Sequence, residues 1–276
     1  MIRRLPVEAS SQLPSIPFTH SLAFIREGET VITDGNMREI FPLASVTKVL
    51  TAWATLIAVD RGYLGLDDPA GPPGATLRHL LSHASGLPYE SRDPQLGVEQ
   101  RRIYSNAGIE IVGETVAQAT GMDFSQWLDV TLCEPLGLAD TSCEGSPAYA
   151  GKSSAADLIT LVHELASPQL ISTALWEEAT RSQFPELAGI VPGYGRQNPC
   201  PWGLGVEIRG EKSPHWTAGA SSPRTFGHFG VAGSFIWMDP VNDCAGVFLG
   251  EDDFGPWHKE NWHPLNDAFL QLPAHM

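Results

Sequence analysis

Ser45-Val46-Thr47-Lys48 places a hydroxyl and an amine three residues apart. On a helix those two positions share a face, so the amine can approach the hydroxyl. A serine hydroxyl becomes an effective nucleophile only when a neighbour removes its proton. An ammonium cannot do that, so Lys48 would need a pKa depressed by burial or by nearby positive charge. A helix N-terminus also favours negative charge developing at Ser45. The plain alternative is a serine N-cap with a solvent-facing lysine, because this spacing also arises by chance. Two other groups carry polar side chains beside glycine or helix starts. Tyr104-Ser105-Asn106 opens an apolar-periodic segment after the Gly86-Leu87-Pro88 loop; alone, Asn106 reads as an N-cap and Tyr104 as a buried aromatic. Gly227-His228-Phe229-Gly230-Val231-Ala232-Gly233 precedes an apolar run from Ser234 and reads, alone, as a glycine-rich turn.

The elements around these residues follow from periodicity. His20 to Arg26 and Thr30 to Thr33 read as two strands joined through Glu27-Gly28. A helix is predicted from about Ser45 to Arg61, closed by Gly62, and apolar around most of its circumference, which marks it as buried. Residues 65–196 read as short helices between Pro/Gly loops. Leu77, Leu80 and Leu81 define one, Ile109, Val112 and Val116 another ending at Gly121, and Leu158, Leu161, Val162 and Leu165 the clearest amphipathic stripe. Asp123 with Gln126 and Ser154 with Asp157 have capping-box-like spacing. Strands return at Leu204–Ile208, Ser234–Met238 and Ala245–Leu249, and Trp262–Leu270 reads as a terminal helix. This order predicts an α+β fold: an antiparallel sheet built from both chain ends (about 1–64 plus 197–276), flanked by helices, with a helical subdomain inserted at about 65–196.

Length and charge narrow the function classes. The 276 residues suit one large domain or two closely associated subdomains, with 42% hydrophobic content for a core. Seventeen Lys+Arg against 32 Asp+Glu leave a net charge of −15, which repels phosphate backbones and anionic lipid. Nucleic acid and membrane are therefore not expected partners. The start, with Arg3 and Arg4 but no apolar run behind them, reads as neither signal nor anchor, and Val49–Val59 is too short to span a bilayer. Cys133, Cys143, Cys200 and Cys244 show no CxxC pairing and read as reduced thiols, which points to the cytoplasm.

Taken together and in this order, S-x-x-K, Y-x-N and H-x-G resemble the serine β-lactamase and penicillin-binding-protein superfamily, in its class C-like branch with family VIII esterases and D-amino-acid peptidases. Leu80-Leu81-Ser82-His83-Ala84-Ser85-Gly86-Leu87-Pro88, Pro135-Leu136-Gly137-Leu138-Ala139-Asp140-Thr141-Ser142 and Pro201-Trp202-Gly203-Leu204-Gly205 are similar to further segments of that branch. The resemblance covers about residues 20–272. It implies a β-lactamase/transpeptidase-like fold and a serine hydrolase acting through an acyl-enzyme. In that scheme Ser45 is the nucleophile, and Lys48 and Tyr104 share the general-base work. Asn106 positions Lys48 and the substrate, and His228 faces the pocket. The backbone N–H groups of Ser45 and Val231 form an oxyanion hole, with Gly230 allowing close approach of an edge strand.

The third motif departs from the family pattern. Lysine and threonine commonly grip a substrate carboxylate there, whereas this chain has His228, read as partly charged near neutral pH, and Phe229, which has no hydroxyl. A neutral ester or small amide is therefore expected, with a β-lactamase or D-alanyl-D-alanine carboxypeptidase as the alternative substrate classes, and a non-catalytic acyl-binding or sensor module as a third reading. Arg224 reads as a solvated loop charge and His83 as structural. Asp252, Asp253, His258 and His263 match no metal-ligand spacing, and Trp257 and Trp262 read as anchors of the last helix. No metal or cofactor is expected; the partner is a small ester, amide or lactam.

Overall fold

A computed structural model describes residues 14–272; the Arg3-Arg4 stretch lies outside them. Strands β1 (His20–Arg26) and β2 (Glu29–Gly35) form a hairpin that turns through Glu27 and Gly28, both at positive φ. Such a two-residue turn matches the strands' right-handed twist. After β3 (Ile40–Pro42), a 3₁₀ turn (Ala44–Val46) runs straight into helix α1 (Thr47–Asp60). Then follow α2 (Leu77–Leu81), α3 (Asn106–Thr120), α4 (Phe124–Leu128), β4 (Ser142–Cys143), β5 (Gly151–Ser154), α5 (Ala155–Ala166) and α6 (Thr173–Thr180). The last part comprises β6 (Gly189–Val191), β7 (Gly195–Gln197), β8 (Glu207–Ile208), β9 (Phe226–Gly230), β10 (Ser234–Asp239), β11 (Cys244–Gly250) and α7 (Pro256–Gln271).

The main sheet has the order β2-β1-β11-β10-β9-β8, antiparallel throughout, so the first and last strands of the chain lie side by side. This is the α+β arrangement that the element order predicts. Its strands read as continuous apolar runs because both faces are covered. Ala23, Ile25, Ile236, Met238, Val247 and Leu249 join the core shared with α1 and α5. Their alternates Leu22, Phe24, Phe235, Trp237 and Phe248 join a second core with Trp262, Leu265 and Phe269 of α7. α1 is buried on every side from Thr47 to Ala58.

Three boundaries differ from the sequence reading. The strand expected over Leu204–Ile208 shrinks to Glu207–Ile208, because the chain bends tightly over α1 at Gly205 (φ 79°), where a Cβ would lie 2.2 Å from that of Ala52. The glycine-rich segment read alone as a turn is strand β9, held in register by β10 with His228 opposite Ile236. The terminal helix begins at Pro256 rather than Trp262, since proline is well placed at a first helical position and Lys259 and Glu260 mask the apolar period.

Candidate active site

Ser45 sits at an elbow. Ala44 holds a left-handed φ of 42°, a conformation that costs an L-residue roughly 1–2 kcal/mol. The turn is fixed against the sheet by Ser234, whose Oγ donates to the Leu43 carbonyl at 2.8 Å. The end of β9 presses on the same turn. A Cβ on Gly230 would stand 2.3 Å from the Leu43 oxygen and 3.1 Å from the Ser45 nitrogen, so only glycine lets these backbones meet. β8 pairs with β9 only at Phe226 and Gly227, and His228–Gly230 therefore form an open edge beside Ser45.

Lys48, one turn into the helix, is 1% exposed. Its Nζ lies 3.2 Å from Ser45 Oγ, 2.6 Å from Asn106 Oδ1 and 2.9 Å from the Ala148 carbonyl oxygen. Burial lowers its pKa to about 7, with the Glu110 carboxylate pulling the other way. The hydrogen-bond roles follow. The Ala148 carbonyl and Asn106 Oδ1 can only accept, so a neutral amine spends both N–H bonds on them and turns its lone pair towards Ser45. Three polar side chains that interrupt the apolar surface of α1 serve the loop that brings Ala148. The Thr47 Oγ1 accepts from the Gly151 N–H, Thr51 Oγ1 donates to the Pro147 carbonyl, and Lys48 itself binds Ala148.

Tyr104 and Asn106 enter on the segment leading into α3. Ser105, not Asn106, is the N-cap: its Oγ accepts from the Gly108 N–H at 2.9 Å. Asn106 is thereby released to face Lys48, which corrects the plain reading of that residue. The Lys48 Nζ stands 4.7 Å from the centre of the Tyr104 ring. Burial raises the Tyr104 pKa above its usual value, against a hydrogen bond to Ser45. Its hydroxyl lies 3.1 Å from His228 Nε2. His228 Nδ1 is 2.7 Å from the Phe229 carbonyl, which can only accept, so Nδ1 carries the proton. Burial drives the His228 pKa down to about 3. The ring is thus neutral rather than partly charged, its Nε2 is an acceptor, and the Tyr104 O–H points at it.

Around Tyr104 the packing is aromatic. His83, held at φ 57°, lies against the Tyr104 ring at 4.6 Å between centres, tilted by 43°, and accepts the Ser105 N–H on Nδ1, a structural role. Trp202 meets the rings of Tyr104, His83 and His228 edge-on. Arg102, two residues before Tyr104, is a buried cation that donates to the carbonyls of Ser82, Gln183, Phe184 and Cys200 and so pins three chain segments behind the site.

A cavity of about 300 Å³ opens over Ser45, lined also by Tyr89, Tyr104, Pro192, Trp202, Glu207, His228, Phe229 and Val231. Ser45, Tyr104, His228 and Val231, named from the sequence, line it directly; Lys48 and Asn106 stand behind Ser45, and Gly230 beside it. Arg224 is exposed and absent from the lining. Trp257 and Trp262 pack against Phe248. His258 accepts the Gly255 N–H, and His263 pairs with Asp267 at 3.0 Å. Glu207 escaped the sequence reading. It is 1% exposed and binds Lys212 at 2.8 Å, His215 at 3.2 Å and Trp216 Nε1 at 2.9 Å; against burial, which raises its pKa, Lys212 and His215 hold it well below the usual carboxylate range. A charged residue inside a short apolar run was the available signal.

The Beta-lactamase family matches residues 20–268 of this sequence. The chain belongs to that family. Among solved structures, a β-lactamase from Mycobacterium bovis is 43% identical, with 96% of this chain and 97% of that one covered and a TM-score of 0.91. Simvastatin synthase from Aspergillus terreus, 18% identical with 95% of each chain covered and a TM-score of 0.75, shares the fold. Curated family relatives include Esterase EstB from Burkholderia gladioli (30% identical; 38% of this chain, 39% of the relative). Another is the D-alanyl-D-alanine-carboxypeptidase/endopeptidase AmpH from Escherichia coli (26%; 38% of this chain, 37% of the relative). The chain thus matches about two-fifths of the length of these curated relatives. Among the described residues, no helix is long and apolar enough to cross a membrane.

Proposed function

We propose that this family member is a serine hydrolase that passes through an acyl-enzyme on Ser45 and acts on small neutral esters. The observation that carries the reading is the Lys48 amine, whose two N–H bonds are committed to Asn106 and Ala148 while Ser45 Oγ lies 3.2 Å away in the remaining direction. With a pKa of about 7, Lys48 is available as a base at neutral pH, whereas the raised pKa of Tyr104 leaves its phenolate unpopulated there. Lys48 therefore takes the Ser45 proton as Oγ attacks the carbonyl. Tyr104, whose hydroxyl is held at the cavity wall beside Ser45 by its contact with His228, turns its proton from Nε2 to the departing alkoxide. The Lys48 ammonium, 4.7 Å from the Tyr104 ring centre, stabilises the phenolate this leaves. Water then takes the place of the alcohol and the same groups act in reverse. The backbone N–H groups of Ser45 and Val231, brought together by Gly230, receive the carbonyl oxygen as it becomes negative.

The substrate class follows from the cavity. Its wall is chiefly Tyr89, Pro192, Trp202, Phe229 and Val231, and its one carboxylate, on Glu207, is already taken by Lys212, His215 and Trp216. A volume of about 300 Å³ holds a short acyl chain. His228 is neutral and gives a substrate carboxylate no counter-charge. Four buried free thiols support a reducing compartment. The M. bovis relative described as a β-lactamase supports β-lactam hydrolysis as a second reading. The test is a panel of short-chain p-nitrophenyl esters, nitrocefin and a D-Ala-D-Ala peptide, with Ser45→Ala beside the parent. Ester turnover that disappears in Ser45→Ala is the expected result. Full activity in that variant rules out the mechanism, and turnover of nitrocefin alone rules in the second reading.

A further inference from the structure

Behind Lys48 runs a chain of polar contacts that the proposed mechanism does not use. The Ala148 carbonyl that receives the Lys48 amine belongs to a short loop, and the Ala148 N–H donates to Ser146 Oγ at 3.2 Å. Ser146 Oγ in turn donates to Glu110 Oε1 at 2.8 Å. Glu110 lies one helical turn after Asn106 on α3, so the two residues share the face turned towards Lys48. The outer side of Glu110 opens on a cavity of about 450 Å³ that also reaches Glu114, Ser146 and Pro147. The carboxylate thus keeps contact with solvent while the amine beyond it is dry.

We propose that Glu110 is the positioning residue for the Lys48 base: through Ser146 it fixes the loop that carries the Ala148 carbonyl, and through its charge it opposes the effect of burial on the amine. Removing the charge and loosening the loop have different consequences. Burial pushes the Lys48 pKa down and the Glu110 charge pushes it up, so the amine keeps more of its pull on the Ser45 proton than burial alone would leave it. The other groups facing the amine are the Tyr104 ring, Asn106 Oδ1, the Ala148 carbonyl and, at longer range, His83 and His228. Both histidines are held neutral by burial, which makes Glu110 the charged group acting on Lys48.

The inference rests on Lys48 activating Ser45, and the experiment separates the two. The rate of fluorophosphonate labelling at Ser45, located by mass spectrometry, is followed from pH 5 to 9 in the parent, Glu110→Gln, Ser146→Ala and Glu114→Gln. Glu114 lines the same outer cavity but pairs with Arg92, and its variant should match the parent. Glu110→Gln keeps the shape and removes the charge. Its acid limb should move to lower pH, so that it labels about threefold or more faster than the parent at pH 5, and more slowly at pH 9, where a weaker base is the limit. Ser146→Ala keeps the charge and loosens the loop; it should be slower throughout with its limb in place. Crossing profiles in Glu110→Gln cannot come from a merely structural role. An unmoved limb in Glu110→Gln, or a limb moved as far by Ser146→Ala, overturns the inference. If Glu110→Gln does not fold, Glu110→Asp, which retains the charge, must keep the parent limb, and a limb moved to lower pH overturns the inference. Absence of label in the parent overturns the proposed function instead.

Discussion

Lowering the pH from 9 to 5 should slow acylation of Ser45 by about a hundredfold, with the midpoint of the fall near pH 7. Burial takes the Lys48 amine from the ordinary 10.5 to about 7, a displacement worth ~5 kcal/mol. At pH 9 the amine is almost wholly unprotonated and accepts the Ser45 proton. Two units below its pKa only about 1% remains in that form, which sets the hundredfold loss. His228, held to about 3, stays neutral through this window, and Tyr104, displaced upward, does not ionise in it. The assay is the pre-steady-state burst of p-nitrophenol from a short-chain ester at a series of pH values. A burst rate that is flat from pH 5 to 9, or that is still climbing tenfold per unit at pH 9, refutes the assignment of Lys48 as the base. Stability carries the same signature with its own sign. Between about 7 and 10.5 the unfolded chain binds a proton that the folded chain has released, so stability rises with pH across that interval. Lys48→Met should flatten that rise in denaturant titrations; an unchanged slope contradicts a depressed amine.

Tyr104→Phe keeps the ring against His83 and Trp202 and loses the hydroxyl, so kcat for ester hydrolysis should fall ~100-fold or more with the melting temperature little changed; near-parental turnover removes Tyr104 from the mechanism. Gly230→Ala drives a methyl group to 2.3 Å from the Leu43 oxygen, and labelling of Ser45 should drop ~100-fold or more as the backbone donors separate. A variant that labels at the parental rate would show that Gly230 does not bring those donors together. Glu207→Gln strips Lys212 of its buried counter-charge and should cost about 3–5 kcal/mol in denaturant unfolding. Because the Glu207 pKa is depressed, its contribution is present above about pH 4.5 and is lost as the pH falls below it, so parent and variant stabilities should converge in acid.

The sequence carried the motif-bearing half of the site and little of its support. Ser45, Lys48, Tyr104, Asn106 and His228 are legible because each lies within a short run whose spacing constrains it. The sheet is legible for a similar reason: β1, β10 and β11 are apolar on both faces and bounded by Gly, Pro or Asp. What escaped depends on long-range contact. Nothing near Ala148 signals that its carbonyl meets a lysine one hundred residues earlier. The neutral state of His228 depends on burial and on the Phe229 carbonyl, neither of which residue type reveals. Ser105 outcompetes Asn106 as the cap because Asn106 is drawn to Lys48, a tertiary interaction that local propensity does not contain. Glu207 looked like one charge among many until Lys212, His215 and Trp216 closed around it.

β1 pairs with β11, His20 opposite Gly250, and the Ser45 elbow is seated by Ser234 and Gly230 from the strands next to it. During synthesis these partners emerge after the elbow they hold. A nascent chain that already displays Ser45 and Lys48 has no strand to press the elbow into shape and no wall to dry the amine. The lysine is then an ordinary ammonium and the serine an ordinary alcohol. The arrangement that would make the pair reactive therefore forms only once β9 to β11 have emerged and closed the sheet around the elbow.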